Sequence, residues 1–250
     1  MKKVLLKISY DGTAYAGWQR QKNALTVQEV VEQALSELIQ REVSLFSASR
    51  TDAGVHALAQ FASFEDSSSI PAEKFAFALN TMLPADVRIL RSLEVPLAFN
   101  PRYDVVNKTY TYRIYNAPHA SALYRNLAYH VPNPLDIATM NRAAALLIGE
   151  HDFTAFEAVG GKTKSKVRNI FKSAFYHEQD FLLYCIQGNG FLYNMVRIIV
   201  GTLIDIGRNK LPADIIEQAF LNPDRRFLGH TVPPQGLVLS EIIYPNKSIR

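Results

Sequence analysis

Val27, Val30, Val31, Ala34, Leu35, Leu38 and Ile39 recur at the i, i+3, i+4, i+7 spacing of one helix face. Thr26 stands directly before them, with Glu29 three residues later, the pattern of a capping box. A helix with one apolar stripe must lay that stripe on a sheet or on other helices. The neighbouring segments supply strands. Residues 3–10 read as a strand ending in the turn Asp11-Gly12-Thr13. Val43, Leu45, Phe46 and Ala48 read as a short strand, and residues 57–64 as another. Residues 71–79 form a second helix, with Pro71 suited to its first turn, and residues 87–94 a further strand. The first part of the chain thus runs strand, helix, strand, strand, helix, strand.

The second part has similar elements. Residues 108–115 alternate as a strand, with Tyr110, Tyr112 and Ile114 on one face and Thr111, Arg113 and Tyr115 on the other. Asn133 and Pro134 open a helix that Gly149 stops. Residues 167–177 and 181–187 make a hairpin around Glu178-Gln179-Asp180. Residues 191–206 and 213–220 are helical, and residues 237–244 close as a strand. Each part reads as a split β-α-β unit of ferredoxin or RNA-recognition type. The expected fold class is α+β: two such halves, 1–100 and 101–250, in one extended, mixed but mainly antiparallel sheet with helices on one face. The boundary falls near residues 96–102, and the last strand and helices are expected to pack back across it. No linker is long or polar enough to separate independent domains, so the two halves are expected to form one continuous unit.

Composition narrows the class. Of 250 residues, 48% are hydrophobic and 20% charged, the balance of a soluble globular protein. No apolar run reaches the length of about 18 residues needed to span a bilayer. The basic N-terminus is interrupted by Lys7 and Asp11 and reads as a strand rather than a secretion signal. The single cysteine, Cys185, excludes an intrachain disulfide, fits a reducing cytoplasm, and sits among Leu182, Leu183, Tyr184 and Ile186 as a buried strand residue. The six histidines lack metal-ligand spacing, and Gly188-Asn189-Gly190 is only a fragment of a dinucleotide fingerprint. Net charge is +4, and its distribution says more than its sum. Lys162, Lys164, Lys166, Arg168 and Lys172 follow Gly160-Gly161 with no acid until Glu178. A charge run is usually a solvated face; on a glycine-led loop it favours phosphate contact.

The chemistry concentrates in Ser49-Arg50-Thr51-Asp52-Ala53-Gly54-Val55-His56. A carboxylate lies between a guanidinium and an Ala-Gly turn, on a loop joining two strands. That is a usual way to present a catalytic group on a rigid scaffold. Asp followed by Ala-Gly is also common turn chemistry, and the loop alone does not separate the two readings. Tyr110 stands at a strand entrance beside Lys108, where a ring can stack on an unpaired base; Tyr112 reads as core. Arg197 falls off the apolar stripe of Phe191, Met195, Val196, Ile199 and Leu203, one turn before Gly201. A neighbour without a side chain lets another backbone or a buried partner approach, and an Asp-Arg pair is the obvious candidate. Gly149-Glu150-His151-Asp152-Phe153 has acid-base residues, but a capping or turn role suits it at least as well.

Together these segments resemble the TruA family of tRNA pseudouridine synthases, over nearly the whole chain. The resemblance rests on Ser9-Tyr10-Asp11-Gly12 with Tyr15-Ala16-Gly17-Trp18-Gln19-Arg20-Gln21, on Arg50-Thr51-Asp52-Ala53-Gly54-Val55-His56, and on Ala78-Leu79-Asn80 with Leu83-Pro84. It continues through Lys108-Thr109-Tyr110-Thr111-Tyr112, Gly149-Glu150-His151-Asp152-Phe153-Thr154, Met195-Val196-Arg197 with Gly201, and Gly236-Leu237-Val238-Leu239. Ser49 and Ala59 stand where the family often has glycine, and Ile198 where it frequently has asparagine. These departures touch loop flexibility and packing more than chemistry.

The resemblance implies a cofactor-free isomerase that detaches uracil from C1′, turns it and rejoins it through C5. It implies Asp52 as the catalytic aspartate, Arg197 as its basic partner, and Tyr110 as the ring stacking on the target base. Arg50 would hold the flipped nucleotide, and Leu237 would line the base pocket. It further implies a homodimer binding tRNA and modifying uridines on the 3′ side of the anticodon stem-loop. Lys162, Lys164, Lys166 and Arg168 are then the candidate phosphate contacts. Two rivals remain at the level of sequence. A binding-only RNA module would leave the Asp52 loop unexplained. A glycoside or nucleoside hydrolase usually needs two carboxylates about the bond, and this block supplies one.

Overall fold

A computed structural model describes residues 1–250 except Lys162, Lys247, Ser248 and Arg250. In chain order the elements are β1 (Lys2–Tyr10), α1 (Val27–Ile39), β2 (Phe46–Ser47), β3 (His56–Asp66), α2 (Phe75–Asn80) and β4 (Val87–Val95). Then come β5 (Asn107–Tyr115), β6 (Tyr129–His130), α3 (Ile137–Ala145), β7 (Gly149–Asp152), β8 (Val167–Glu178) and β9 (Phe181–Gly188). The chain ends with α4 (Met195–Gly207), α5 (Ile215–Leu221) and β10 (Leu237–Ile243). It divides into two compact units, Met1–Val106 with Val238–Arg250, and Asn107–Leu237.

In the first unit the strands lie in the order β4-β1-β3-β10, with β2 beside β3. β1 runs antiparallel to both its neighbours, whereas β10 joins β3 in parallel at Val238 opposite His56. Val4, Leu5, Leu6 and Ile8 of the inner strand β1 are fully buried. So are Val27, Val31 and Leu35 of α1, each burial stabilising by roughly 1.5–3 kcal/mol. Thr26 caps α1, its hydroxyl accepting from Glu29 N at 3.4 Å, as the sequence pattern predicts. Phe64 of β3 meets Phe75 of α2 edge-on at 5.2 Å and fixes that helix on the sheet.

Two elements here are shorter than expected. The strand read from Val43 to Ala48 reduces to Phe46–Ser47. Val43 N–H donates to Ser36 Oγ at 3.1 Å and Leu45 N–H to Glu32 Oε1 at 2.8 Å. Side chains of α1 thus take the donors that a longer strand would give to its neighbour. The helix read over residues 71–79 is split, with Pro71 capping a 3-10 turn (Ala72–Lys74) before α2 begins.

In the second unit the order is β5-β9-β8-β7, antiparallel throughout, with β6 joining β5 in parallel. Cys185 is buried in β9, as its neighbours imply. Asn141 clamps α3 onto β8: its Oδ1 accepts from Phe175 N at 2.7 Å and its Nδ2 donates to Phe175 O at 3.3 Å. The helix cap expected at Asn133 lies instead at Asp136, whose Oδ1 accepts from Thr139 N at 3.0 Å. Asn133 is engaged elsewhere, its carbonyl accepting from Asn116 Nδ2 at 2.8 Å. Gly149–Asp152 forms strand β7, entered through Gly149 at φ +111°, and Asp152 at its end takes the capping or turn role, its Oδ1 accepting from Thr154 N at 2.8 Å and Thr154 Oγ1 at 2.6 Å. The helix expected from Phe191 begins only at Met195, because Asn194 takes the left-handed conformation at φ 59°.

Candidate active site

The Asp52 loop is held from below by the segment following β1. Trp18 N–H donates to Thr51 O at 3.1 Å, and Gly54 N–H to Tyr15 O at 3.2 Å. Tyr10 Oη lies 2.7 Å from Thr51 Oγ1 in a buried hydroxyl pair. Gln60 braces the other end, donating to Ser49 O at 2.8 Å and accepting from Ser49 N at 3.3 Å. Within the loop Val55 N–H donates to Asp52 O at 3.1 Å, and Gly54 sits at φ +76°. That positive φ is the conformation the Ala-Gly pair predicts. The result is a half-exposed Asp52 between buried Thr51 and exposed Ala53, on a loop whose backbone is hydrogen-bonded on both sides. The turn chemistry is therefore present, and it leaves Asp52 half-exposed.

Arg50 is exposed on the same loop. Partial burial, and secondarily the positive charge of Arg102, press its pKa below the ordinary arginine value.

In the second unit Tyr110 and Tyr112 lie on the covered face of β5, with 6% and 0% exposure. Tyr110 meets Phe191 edge-on at 5.1 Å. Tyr112 Oη donates to Pro233 O at 2.7 Å, and burial pushes its pKa up despite the nearby Arg197 charge. Arg197 is clamped on α4. Its Nε donates to Val232 O at 2.8 Å and a terminal nitrogen to Asn194 Oδ1 at 2.8 Å. The close approach expected at Gly201 is present, since a Cβ there would stand 1.8 Å from His230 O. Leu237, the first residue of β10, is buried.

The basic loop is less uniform than its sequence suggests. Lys162 lies outside the described residues. Lys164 is exposed. Lys166 Nζ is paired with Glu157 Oε2, so the balancing acid comes from upstream of the loop. Arg168 donates to Ser165 O at 3.0 Å and to its neighbour's carbonyl, Val167 O, at 2.6 Å.

The residues that sequence reasoning left without a role are those supporting the loop: Tyr10, Gly12, Gly17, Trp18 and His56. Their signal was their place in the two motif blocks surrounding Asp52. Among the described residues no helix is long and apolar enough to cross a membrane.

Residues 7–104 and 143–245 match the family model described as tRNA pseudouridine synthase. This chain belongs to that family. It is 50% identical to the tRNA pseudouridine synthase A of Ruminiclostridium cellulolyticum, over 98% of this chain and all of that protein. It is 48% identical to the protein of that name from Acetivibrio thermocellus, and 41% to the one from Clostridium acetobutylicum, with the same coverage of both chains. Family membership makes the chain an isomerase, and its α+β architecture is that of the pseudouridine synthase fold.

Proposed function

We propose that the chain converts uridine to pseudouridine in the anticodon stem-loop of tRNA, on the 3′ side of the stem, with Asp52 as the catalytic carboxylate. The observation that supports this most is the half-exposed Asp52 on a loop whose backbone is fixed from both sides. The N1–C1′ bond breaks, a C5–C1′ bond forms, the C5 proton leaves and N1 gains one. Atoms and electrons balance within the substrate, so no oxidant, reductant or second substrate enters. A carboxylate can add to the sugar or promote elimination there, splitting one hard step into easier ones. The target base must leave its stack, at a cost of roughly a few kcal/mol.

In this reading Arg197 keeps Asp52 ionised and Tyr110 stacks on the target base. Arg50 holds the flipped nucleotide, and Leu237 lines the base pocket. Lys164 and Arg168, with Lys162, contact phosphates, whereas Lys166, the fourth candidate, is engaged by Glu157. The two halves work as one catalytic unit in a homodimer of the cytoplasm, with tRNA as partner and no cofactor. The deciding experiment is hydrogen release from C5-labelled uridine in tRNA, with wild type against Asp52→Ala. Release by wild type alone is the expected result. Tight tRNA binding without release by either protein overturns the reading in favour of a binding module, and free uracil overturns it in favour of a hydrolase.

A further inference from the structure

His56 closes the Asp52 loop and opens β3, with its side chain only 6% exposed. Its Nδ1 lies 3.1 Å from Gly12 N and 3.1 Å from Asp11 Oδ1. One ring nitrogen cannot accept from an N–H and donate to a carboxylate at the same time. The two contacts are therefore alternatives, and their neighbours discriminate between them. Asp11 Oδ1 already accepts from Thr13 N at 2.9 Å and Thr13 Oγ1 at 2.6 Å. The Gly12 N–H is buried, and losing its acceptor costs a full desolvation penalty.

Gly12 matters because of what it touches. A Cβ on Gly12 would stand 2.1 Å from Val55 O, so its bare backbone lies directly against the catalytic loop. Val55 in turn donates its N–H to Asp52 O. Three steps thus run from the imidazole to the aspartate: Nδ1 to Gly12 N–H, Gly12 to the Val55 carbonyl, and Val55 N–H to Asp52. A displacement of the Asp11–Gly12 turn reaches the backbone of Asp52, where about 1 Å is enough to lower turnover.

We propose that His56 is a positioning residue of the catalytic loop, its Nδ1 accepting from Gly12 N–H and seating the Asp11–Gly12 turn against Val55. This rests on Asp52 being the catalytic carboxylate. Asparagine can place an oxygen near the position of Nδ1, whereas glutamine reaches toward that of Nε2. The test measures kcat and KM for tRNA in His56→Asn, His56→Gln and His56→Ala by hydrogen release from C5. The Gln and Ala variants are expected to lose about tenfold or more in kcat with KM within about twofold, and Asn to return within about threefold of wild type. Equal losses in Asn and Gln, or a loss carried by KM, overturn the proposal. Asp11→Asn supplies an independent arm, because it keeps an acceptor for Thr13 while removing the charge. It is expected to stay within about twofold of wild-type kcat. A loss there matching His56→Ala would mean that Nδ1 donates to Asp11, which also overturns the proposal. Absence of release by wild type would instead remove the functional reading beneath it.

Discussion

Gly17 lies so close to Thr51 that a Cβ on it would stand 2.5 Å from the Thr51 carbonyl oxygen. The same Cβ would come within 3.0 Å of the Asp52 carbonyl carbon, and Gly17 itself sits at φ +92°. The loop carrying the aspartate is thus cast against a glycine backbone, and Trp18 N–H next door ties it down at Thr51 O.

Gly17→Ala is therefore expected to damage both stability and turnover. The positive φ alone costs an L-residue about 1–2 kcal/mol, and the obstructing atoms are backbone that cannot rotate away. A total loss of about 2–3 kcal/mol in urea unfolding is expected, with kcat down more than about tenfold. A stable variant with wild-type kcat would show that the loop is not seated on this residue.

Gly201→Ala tests the corresponding approach in the second unit. Alanine favours a helix interior by about 1 kcal/mol over glycine, so propensity alone predicts stabilisation. The Cβ would, however, stand 1.8 Å from His230 O, and overpacking against backbone costs about 1–3 kcal/mol or more. Steric conflict wins, and the segment carrying Val232, the acceptor for Arg197 Nε, must shift. A lowered thermal midpoint together with reduced kcat is the expected pair of results. A raised midpoint would contradict the close approach.

Arg197→Ala separates chemistry from affinity. If the guanidinium keeps the aspartate ionised, its loss lowers kcat by about a hundredfold while tRNA Kd stays within about threefold. Equal losses in kcat and in affinity would assign Arg197 to RNA binding instead.

Local signals made much of this legible. The 3.6-residue stripe and Thr26 cap gave α1, alternation gave β5, the Glu178-Gln179-Asp180 turn gave the β8–β9 hairpin, and Gly201 announced a close neighbour one turn from Arg197. The failures share a cause, which is competition from groups distant in sequence or from a second local option. Glu32 and Ser36 took the donors of the expected strand before the Asp52 loop. Asp136 outcompeted Asn133 as a cap, and a left-handed Asn194 delayed α4. In the site, the position of Asp52 on a strand-joining loop was readable. Its supports were not, because Tyr10 with Thr51 and His56 with Gly12 are contacts across some forty residues of chain.

Asp66 provides a pH prediction. Its side chain is fully buried, 3.2 Å from Lys2 Nζ and 3.7 Å from an Arg41 guanidinium nitrogen. Burial pushes its pKa up, but hydrogen bonds from Ser68 N and Oγ, with Lys2, outweigh that and hold it below the ordinary 3.8. A depressed folded-state pKa means that the stabilisation is complete above the unfolded value and disappears as pH falls through the folded one. Wild type should therefore lose stability steeply below about pH 4, and Asp66→Asn less steeply. At neutral pH the variant should be less stable by about 2 kcal/mol. Parallel acid limbs for the two proteins would exclude Asp66 as a source of the slope.

The basic loop yields opposite expectations for two lysines separated by one residue. Lys166 is paired with Glu157, whose side chain is only 10% exposed and whose Oε1 has no hydrogen-bond partner among the described residues. Lys166→Ala leaves a largely buried carboxylate with only the Arg168 charge to offset it and should cost about 2 kcal/mol of stability. It should change the salt dependence of tRNA binding little, because the lysine charge is already spent within the protein. Lys164 is exposed, so Lys164→Ala should leave stability within about 0.5 kcal/mol. If Lys164 contacts a phosphate, its removal lowers the slope of log K against log salt by about 0.7–0.9. Unfolding in urea and a salt titration of tRNA binding measure both effects in both variants. A stable Lys166→Ala with a flattened slope would move the phosphate contact from Lys164 to Lys166 and show that its pairing with Glu157 opens for RNA.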